Sequence, residues 1–192
     1  MTEVYPRRFP FGWLVVVLLA ASGVLWAVLF FGTLAHLRAL AGGAAPFDVR
    51  PFGYSHGEAR KFLDAIGDAG RAYYLNPELV LDTFYLPLYA ISRALAMWWL
   101  TMPGRLRETP VPISARWALV AVSVATAGFD GVENVSIARM IWIWPDVPRD
   151  LVALASLATR LKLVLGAVTE IAVVALALAA LVRRWRTARA KN

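Results

Sequence analysis

Asp130, Glu133 and Asn134 place two carboxylates and an amide within little more than one helical turn, inside an apolar segment that runs from Ile113 to Trp144. Ionisable groups at bilayer depth are costly enough to mark a functional site by default. Such a trio supports general acid and base work, or carboxylate ligation steadied by an amide. Lys162 is the one cation conveniently placed to neutralise an acid pair there, which leaves a carboxylate in excess. Asp130 and Glu133 are therefore the candidate catalytic residues. The competing account makes these groups structural glue: interhelical hydrogen bonds and ion pairs that fix register at about 1 kcal/mol or less each.

Polar residues elsewhere extend the trio into a pattern. Three segments carry them at the same offsets: Asp82, Tyr85, Tyr89, Ser92 and Arg93; Ser123, Thr126, Asp130, Glu133 and Asn134; Thr159, Lys162, Gly166, Thr169 and Glu170. With helical residues about 100° apart, each set falls on one face, and in a lipid-embedded bundle such faces must look inward. Counting from Thr101, Arg116 and Val182 at about 1.5 Å per residue puts Asp82 and Lys162 roughly 29 to 30 Å up, Glu133 about 25 Å, Asp130 about 21 Å and Glu170 about 18 Å. The carboxylates thus gather in the outer half, where Lys162 is expected to pair with Glu133 or Asp82. Arg93, about 12 Å up, would face Glu170 only across a turn or more. Asp82 and Asn134 are the expected orienting groups, Tyr85 and Tyr89 are packing aromatics on the same face, and Arg160 falls off its stripe and snorkels toward headgroups. Asp82, Asp130 and Glu133 offer hard oxygen ligands to a cation. No two histidines share a helix, and H-E-x-x-H, G-x-S-x-G, glycine-rich phosphate loops and dinucleotide fingerprints are missing from the sequence; no metal and no cofactor is assigned.

The elements that position these residues follow from hydropathy. The chain of 192 residues is 59% hydrophobic and 17% charged, with a mean hydropathy of +0.59, which sets aside a soluble globular reading. A bilayer core takes about 20 helical residues, and the expected spans are 11–37, 77–101, 113–141 and 151–182. They form an all-α, polytopic four-helix bundle in one membrane domain, 1–192, with an outer segment at 38–76 and a basic tail at 183–192. The net charge of +7 is unevenly spread. The N-terminus (Arg7, Arg8 against Glu3), the second loop (Arg105, Arg107, Arg116 against Glu108) and the tail (Arg183, Arg184, Arg186, Arg189, Lys191) are basic, whereas the other two loops balance. The positive-inside rule then puts both termini in the cytoplasm. The tail reads as an orientation and headgroup signal rather than a nucleic-acid patch. The first apolar run is too long for a signal peptide and reads as a retained anchor. With no cysteine, disulfides and thiolate chemistry are excluded.

The outer segment has its own signals. Ser55 and Glu58 match a capping box ahead of Ala59, Phe62, Leu63 and Ile66, so a short amphipathic helix is expected over Gly57 to Ile66, stopped by Gly67 and Gly70. Asn76-Pro77-Glu78 is an N-cap, a first-turn proline and a first-turn acid, so the second span is expected to begin at Pro77. It should kink at Pro87 and close at Met102-Pro103-Gly104. The last segment, from Pro148 to Val182, would be about 52 Å long as one helix; it projects, tilts or breaks near Arg160. The first helix reads as packing, with Ser22, Gly23 and Trp26 its only small or amphipathic marks. His56 reads as a surface residue. The pairs Trp98, Trp99 and Trp142, Trp144 mark the two interfaces.

Gly53-Tyr54-Ser55 with Glu58-Ala59, Leu63 to Gly67 with Gly70-Arg71 and Tyr74, Leu81-Asp82 with Tyr89, and Asp130 with Glu133-Asn134 resemble the pattern of a group of small four-helix bacterial membrane proteins. The resemblance covers about half the chain and attaches no activity. It implies a four-helix bundle with an outer helical loop, and a constellation of Tyr54, Arg71, Asp82, Asp130, Glu133 and Asn134. The expectation is an integral protein of a bacterial cytoplasmic membrane, with the bilayer as its surroundings and no nucleic acid. A pocket in the outer half of the bundle would bind, or do acid/base chemistry on, a lipid or other amphipathic small molecule. The alternatives are an assembly subunit for a membrane partner and a path for protons or ions.

Overall fold

The computed structural model describes residues 11–103, 105–106 and 111–190. Glu3, Arg7, Arg8, Gly104, Arg107, Glu108 and Lys191, used above for orientation and for a helix stop, lie outside the described residues. What is described is all-helical, without a strand. Four helices are long and apolar enough to cross a membrane: α1, Phe11–Leu40; α3, Gly67–Leu100; α4, Ile113–Trp142; and α5, Arg149–Arg189. The short α2, His56–Ala65, lies in the link between α1 and α3.

Packing is centred on α4, which lies against both α3 and α5; α1 runs along α3, and α1 and α5 barely meet. Burial is inverted relative to a protein that faces water. The outward faces are large and apolar, such as Val80, Phe84 and Ile91 on α3, Val132 and Val135 on α4, and Val164, Val168 and Ile171 on α5. No residue of the three polar stripes is exposed, as required where the surroundings cannot hydrogen bond. An apolar cluster that includes Leu37, Phe47, Phe62, Leu63, Tyr74, Ile137 and Met140 closes the loop end, where residues 41–66 lie. A smaller one, Val15, Ala96, Met97 and Val173, closes the tail end. The polar stripes fill the layer between.

The capping box is formed: the Ser55 amide and hydroxyl donate to Glu58 Oε2 at 2.7 and 2.6 Å, and the Glu58 amide donates back to Ser55 Oγ at 3.3 Å. These bonds to Ser55 hold the Glu58 carboxyl below its ordinary range. Gly67, at φ +63°, ends α2 as expected, because the left-handed conformation is open to glycine. Gly70 does not act as a stop. The chain turns back into helix at Gly67, and Gly70 lies where a Cβ would meet the Ile66 Cβ at 2.6 Å.

The helix that carries the second candidate span therefore starts at Gly67, not at Pro77. Pro77 sits inside a single π turn, Tyr74–Glu78, past which the Leu79 amide bonds the Tyr74 carbonyl. The wider turn lets the ladder resume beyond a residue with no amide to give. Burial of Tyr74 in the loop-end cluster holds the turn above it in place, which overrides the local start signal. A second π turn, Leu29–Thr33, interrupts α1. α3 continues through Pro87. α5 does not break near Arg160: it is one helix of 41 residues, about 61 Å long at 1.5 Å per residue. His56 is more than a surface residue, since its Nε2 lies 2.9 Å from the Val147 carbonyl and ties α2 to the α4–α5 link.

Replacing Gly67 by alanine forces a Cβ into the left-handed region and should lower stability by about 1 to 2 kcal/mol. Gly57→Ala, in ordinary helix with nothing within 4 Å of the added Cβ, should be neutral or raise stability by up to about 1 kcal/mol. Thermal unfolding of the two variants in one mild detergent checks the opposite signs.

Candidate functional site

Helical spacing sets the trio on α4 against its partners. Asp130, Glu133 and Asn134 share one face, with Lys162 and Thr159 of α5 on one side and Asp82 of α3 on the other. Lys162 Nζ lies 2.7 Å from Asp130 Oδ1, 2.5 Å from Glu133 Oε2 and 3.4 Å from Asp48 Oδ1. Glu133 is fully buried, and its Oε1 also accepts from the Thr159 hydroxyl at 2.5 Å. Asp48 comes from the short 3-10 turn Phe47–Val49 in the α1–α2 link and accepts from the Tyr74 hydroxyl. Asn134 Nδ2 donates to Asp82 Oδ2 at 2.6 Å. So Lys162 takes Glu133, as one of the two expected pairings has it. It does not take Asp82, whose carboxylate is engaged by Asn134.

A second charged cluster lies nearer the tail end. Arg93 Nε is 2.8 Å from Glu170 Oε1, a direct pair in which the long guanidinium side chain spans the difference in height. Arg93 Nη1 donates to the Ser22 hydroxyl of α1 and, at 3.0 Å, to Ser92 Oγ. Its guanidinium lies 4.7 Å from the Tyr89 ring centroid. Among the other stripe hydroxyls, Thr126 and Thr169 donate to carbonyls four residues back in their own helices, at 2.9 Å each, whereas Ser123 Oγ is buried without a hydrogen-bond partner.

Between the two clusters is a cavity of about 520 Å³. Asp82, Tyr85, Tyr89, Asp130 and Lys162 all reach it, and so do Asp48, Glu78 and Glu170. Its apolar side is Trp26, Leu29, Phe30 and Leu34 of α1 with Leu163 and Ala167 of α5. Asp48 and Val49 close it from the loop end.

The remaining expected residues lie elsewhere. Glu133 stands behind Lys162, away from the cavity lining. Asn134 borders a separate cavity of about 500 Å³ with Leu79, Thr83 and Trp142. Tyr54 is buried near Glu133 and Thr159 with its hydroxyl unbonded; burial first, then the Glu133 charge, pushes its phenol above the ordinary value. The structure does not bring Arg71 into the constellation: it donates to the Leu63 carbonyl and to Asp68, both at 2.5 Å, and lies 5.0 Å from the Trp144 ring. Among the described residues, no group of three or more His, Cys, Asp or Glu is disposed to hold a metal ion.

Three participants were missed in the sequence. Asp48 looked like one of several balancing loop charges, and no local pattern marks it as buried. Glu78 was read as a first-turn acid, yet it is 1% exposed with Oε2 unbonded. Ser22, 0% exposed, carried a usable signal: a lone hydroxyl in an apolar helix, which an intramembrane partner would explain. Comparison with protein-family models, curated proteins and solved structures finds no match for this chain, so its own geometry carries the functional reading.

Lys162→Met removes the counter-charge of three carboxylates at once and should cost about 3 kcal/mol or more, since a buried charge is left uncompensated. Arg93→Met should cost less, because the Glu170 side chain is 47% exposed and reaches a wetter or headgroup-like environment more readily. Melting temperatures of both variants in one detergent check the order.

Proposed function

We propose that this is an integral protein of a bacterial cytoplasmic membrane, a four-span bundle with both termini cytoplasmic and the loop end outside. The cavity in its outer half is a binding pocket for a lipid or another amphipathic small molecule. The observation that carries this reading is the two-sided lining: aromatic and aliphatic side chains of α1 and α5 face ionisable groups of α3, α4 and α5 across one space. Ligand pockets combine apolar walls with a few convergent polar groups in this way, whereas groups that serve only as glue would close upon each other.

Asp130 and Asp82 are the polar contacts, Lys162 is the counter-charge of Asp130, and Tyr85 and Tyr89 form the aromatic side. Any acid/base chemistry on the bound molecule falls to Asp130, the member of the acid pair that reaches the cavity. Glu133 then positions Lys162. A membrane interface at the tail end is supported by cation–aromatic pairs, with Arg116 3.8 Å from the Trp98 ring and Arg105 4.4 Å from the Trp99 ring, as suits a level rich in basic and aromatic residues.

Because the chain has no cysteine, orientation can be read with single introduced thiols. Asp146→Cys should react with a membrane-impermeant maleimide in intact spheroplasts, and Thr187→Cys only after lysis; the reverse pattern inverts the topology. The pocket is tested by native mass spectrometry after extraction in a mild detergent. Wild type should retain an amphipathic molecule, and Asp130→Asn should retain it at least fivefold less. Gly166→Leu should fill the space and exclude it without loss of fold, since a Cβ there meets only Thr126 and Tyr89 atoms, at 3.6 and 3.8 Å. A stable partner protein recovered in place of any such molecule would favour an assembly subunit instead.

A further inference from the structure

The charges around the loop-end half of the cavity do not balance. Asp48, Glu78, Asp82 and Asp130 all reach the lining, with Glu133 directly behind, and Lys162 is the one cation on that lining. Lys162 cannot serve an incoming anion. Its charge is already shared among Asp130, Glu133 and Asp48. Arg93 is committed to Glu170, Ser22 and Ser92. An anionic head group entering here would meet carboxylates and no available positive charge.

An independent observation marks the same spot. Glu78 is 1% exposed, borders the cavity, and keeps Oε2 without a hydrogen bond. An orphaned carboxylate oxygen at a cavity wall is costly unless something the cavity holds completes it. Asp82, one helical turn further along the same wall, adds a second carboxylate, and Asn134 engages its Oδ2.

The opposite side of the cavity specifies what else the occupant must carry. α1 and α5 contribute Trp26, Phe30 and Ala167 to it and barely touch one another. Phe30 and Trp26 are stacked at 5.1 Å and each is more than 40% exposed, so the lining runs out to the apolar surface of the bundle along the α1–α5 seam. A chain-bearing molecule can lie there while its head reaches the carboxylates. Tyr85 and Tyr89 add aromatic faces beside the head position, and such faces attract organic cations.

We propose that the cavity takes an amphiphile with a cationic head, a protonated or quaternary amine on an alkyl or acyl chain. It enters between α1 and α5 and seats its head among Glu78, Asp82 and Asp130. This deepens the pocket reading above and rests on it. The chain's own charge of +7 opposes general adsorption of cations, so a retained cation reports a local site.

The test compares three probes of equal chain length, dodecyltrimethylammonium, dodecanol and dodecanoate, by native mass spectrometry and equilibrium titration on the full-length protein in a maltoside detergent. The expected result is one dodecyltrimethylammonium per chain, bound at least tenfold more tightly than either other probe and lost in Gly166→Leu. Glu78→Gln and Asp82→Asn should each narrow that preference at least fivefold. The comparison among probes needs only wild type, so it stands even if a variant fails to accumulate. Equal or tighter binding of dodecanoate or dodecanol overturns the cationic assignment and leaves the pocket intact. Retention of none of the three overturns the pocket as well.

Discussion

The structure depends on how one ammonium is neutralised inside an apolar bundle. Lys162 draws Asp130 and Glu133 of α4 and Asp48 of the α1–α2 link to within 3.4 Å of a single nitrogen. Separated, these groups would each face a desolvation penalty of several kcal/mol. Held together, they fix the rotation of α5 against α4 and bring the link down onto the bundle. Asp48 extends the constraint to Tyr74, and so to the π turn from which α3 descends. The roof of the cavity and its charged wall are thus set by the same contact.

The second charged cluster does a different job. Arg93 reaches Ser22 of α1 and Glu170 of α5, which makes it a polar link among three helices. Because α1 rests mainly along α3, Arg93 and the tail-end cluster hold the tail half of α1 near α5 without closing the seam above. The cavity occupies the interval between this tie and the Lys162 cluster. Two ion clusters at different heights, rather than continuous packing, leave that interval open.

Most of the architecture was legible because it follows from periodicity. Polar residues recurring at helical spacing within apolar segments have one low-energy orientation in lipid, so the three stripes and their mutual facing could be read directly. The same held for the capping box at Ser55 and Glu58, whose bonds are local. What was illegible depends on contacts remote in sequence. Pro77 carries every local mark of a helix start, yet burial of Tyr74 against Phe47 and Phe62 stabilises the turn above it by more than the cap signal favours a break. Asp48 is a short polar residue in a loop, and Lys162, 114 positions away, and Tyr74 make it part of the interior. Arg71 shows the converse: a shared sequence pattern grouped it with the acids, but its acceptors, the Leu63 carbonyl of α2 and Asp68 of α3, both lie at the α2–α3 corner.

This distinction bears on the acid pair. Asp130 and Glu133 look equivalent in sequence, one turn apart on the same face, but a helix rotates that face enough to give them different neighbours. Glu133 points between α4 and α5, and there it meets both Lys162 and Thr159 with no exposed surface. Asp130 sits one turn nearer the tail end and borders the cavity. A carboxylate that is fully engaged and sealed serves to orient its partner. One that shares the same ammonium but borders open volume can exchange that contact for a bound molecule. The division of labour between the two acids therefore follows from which of them borders the cavity.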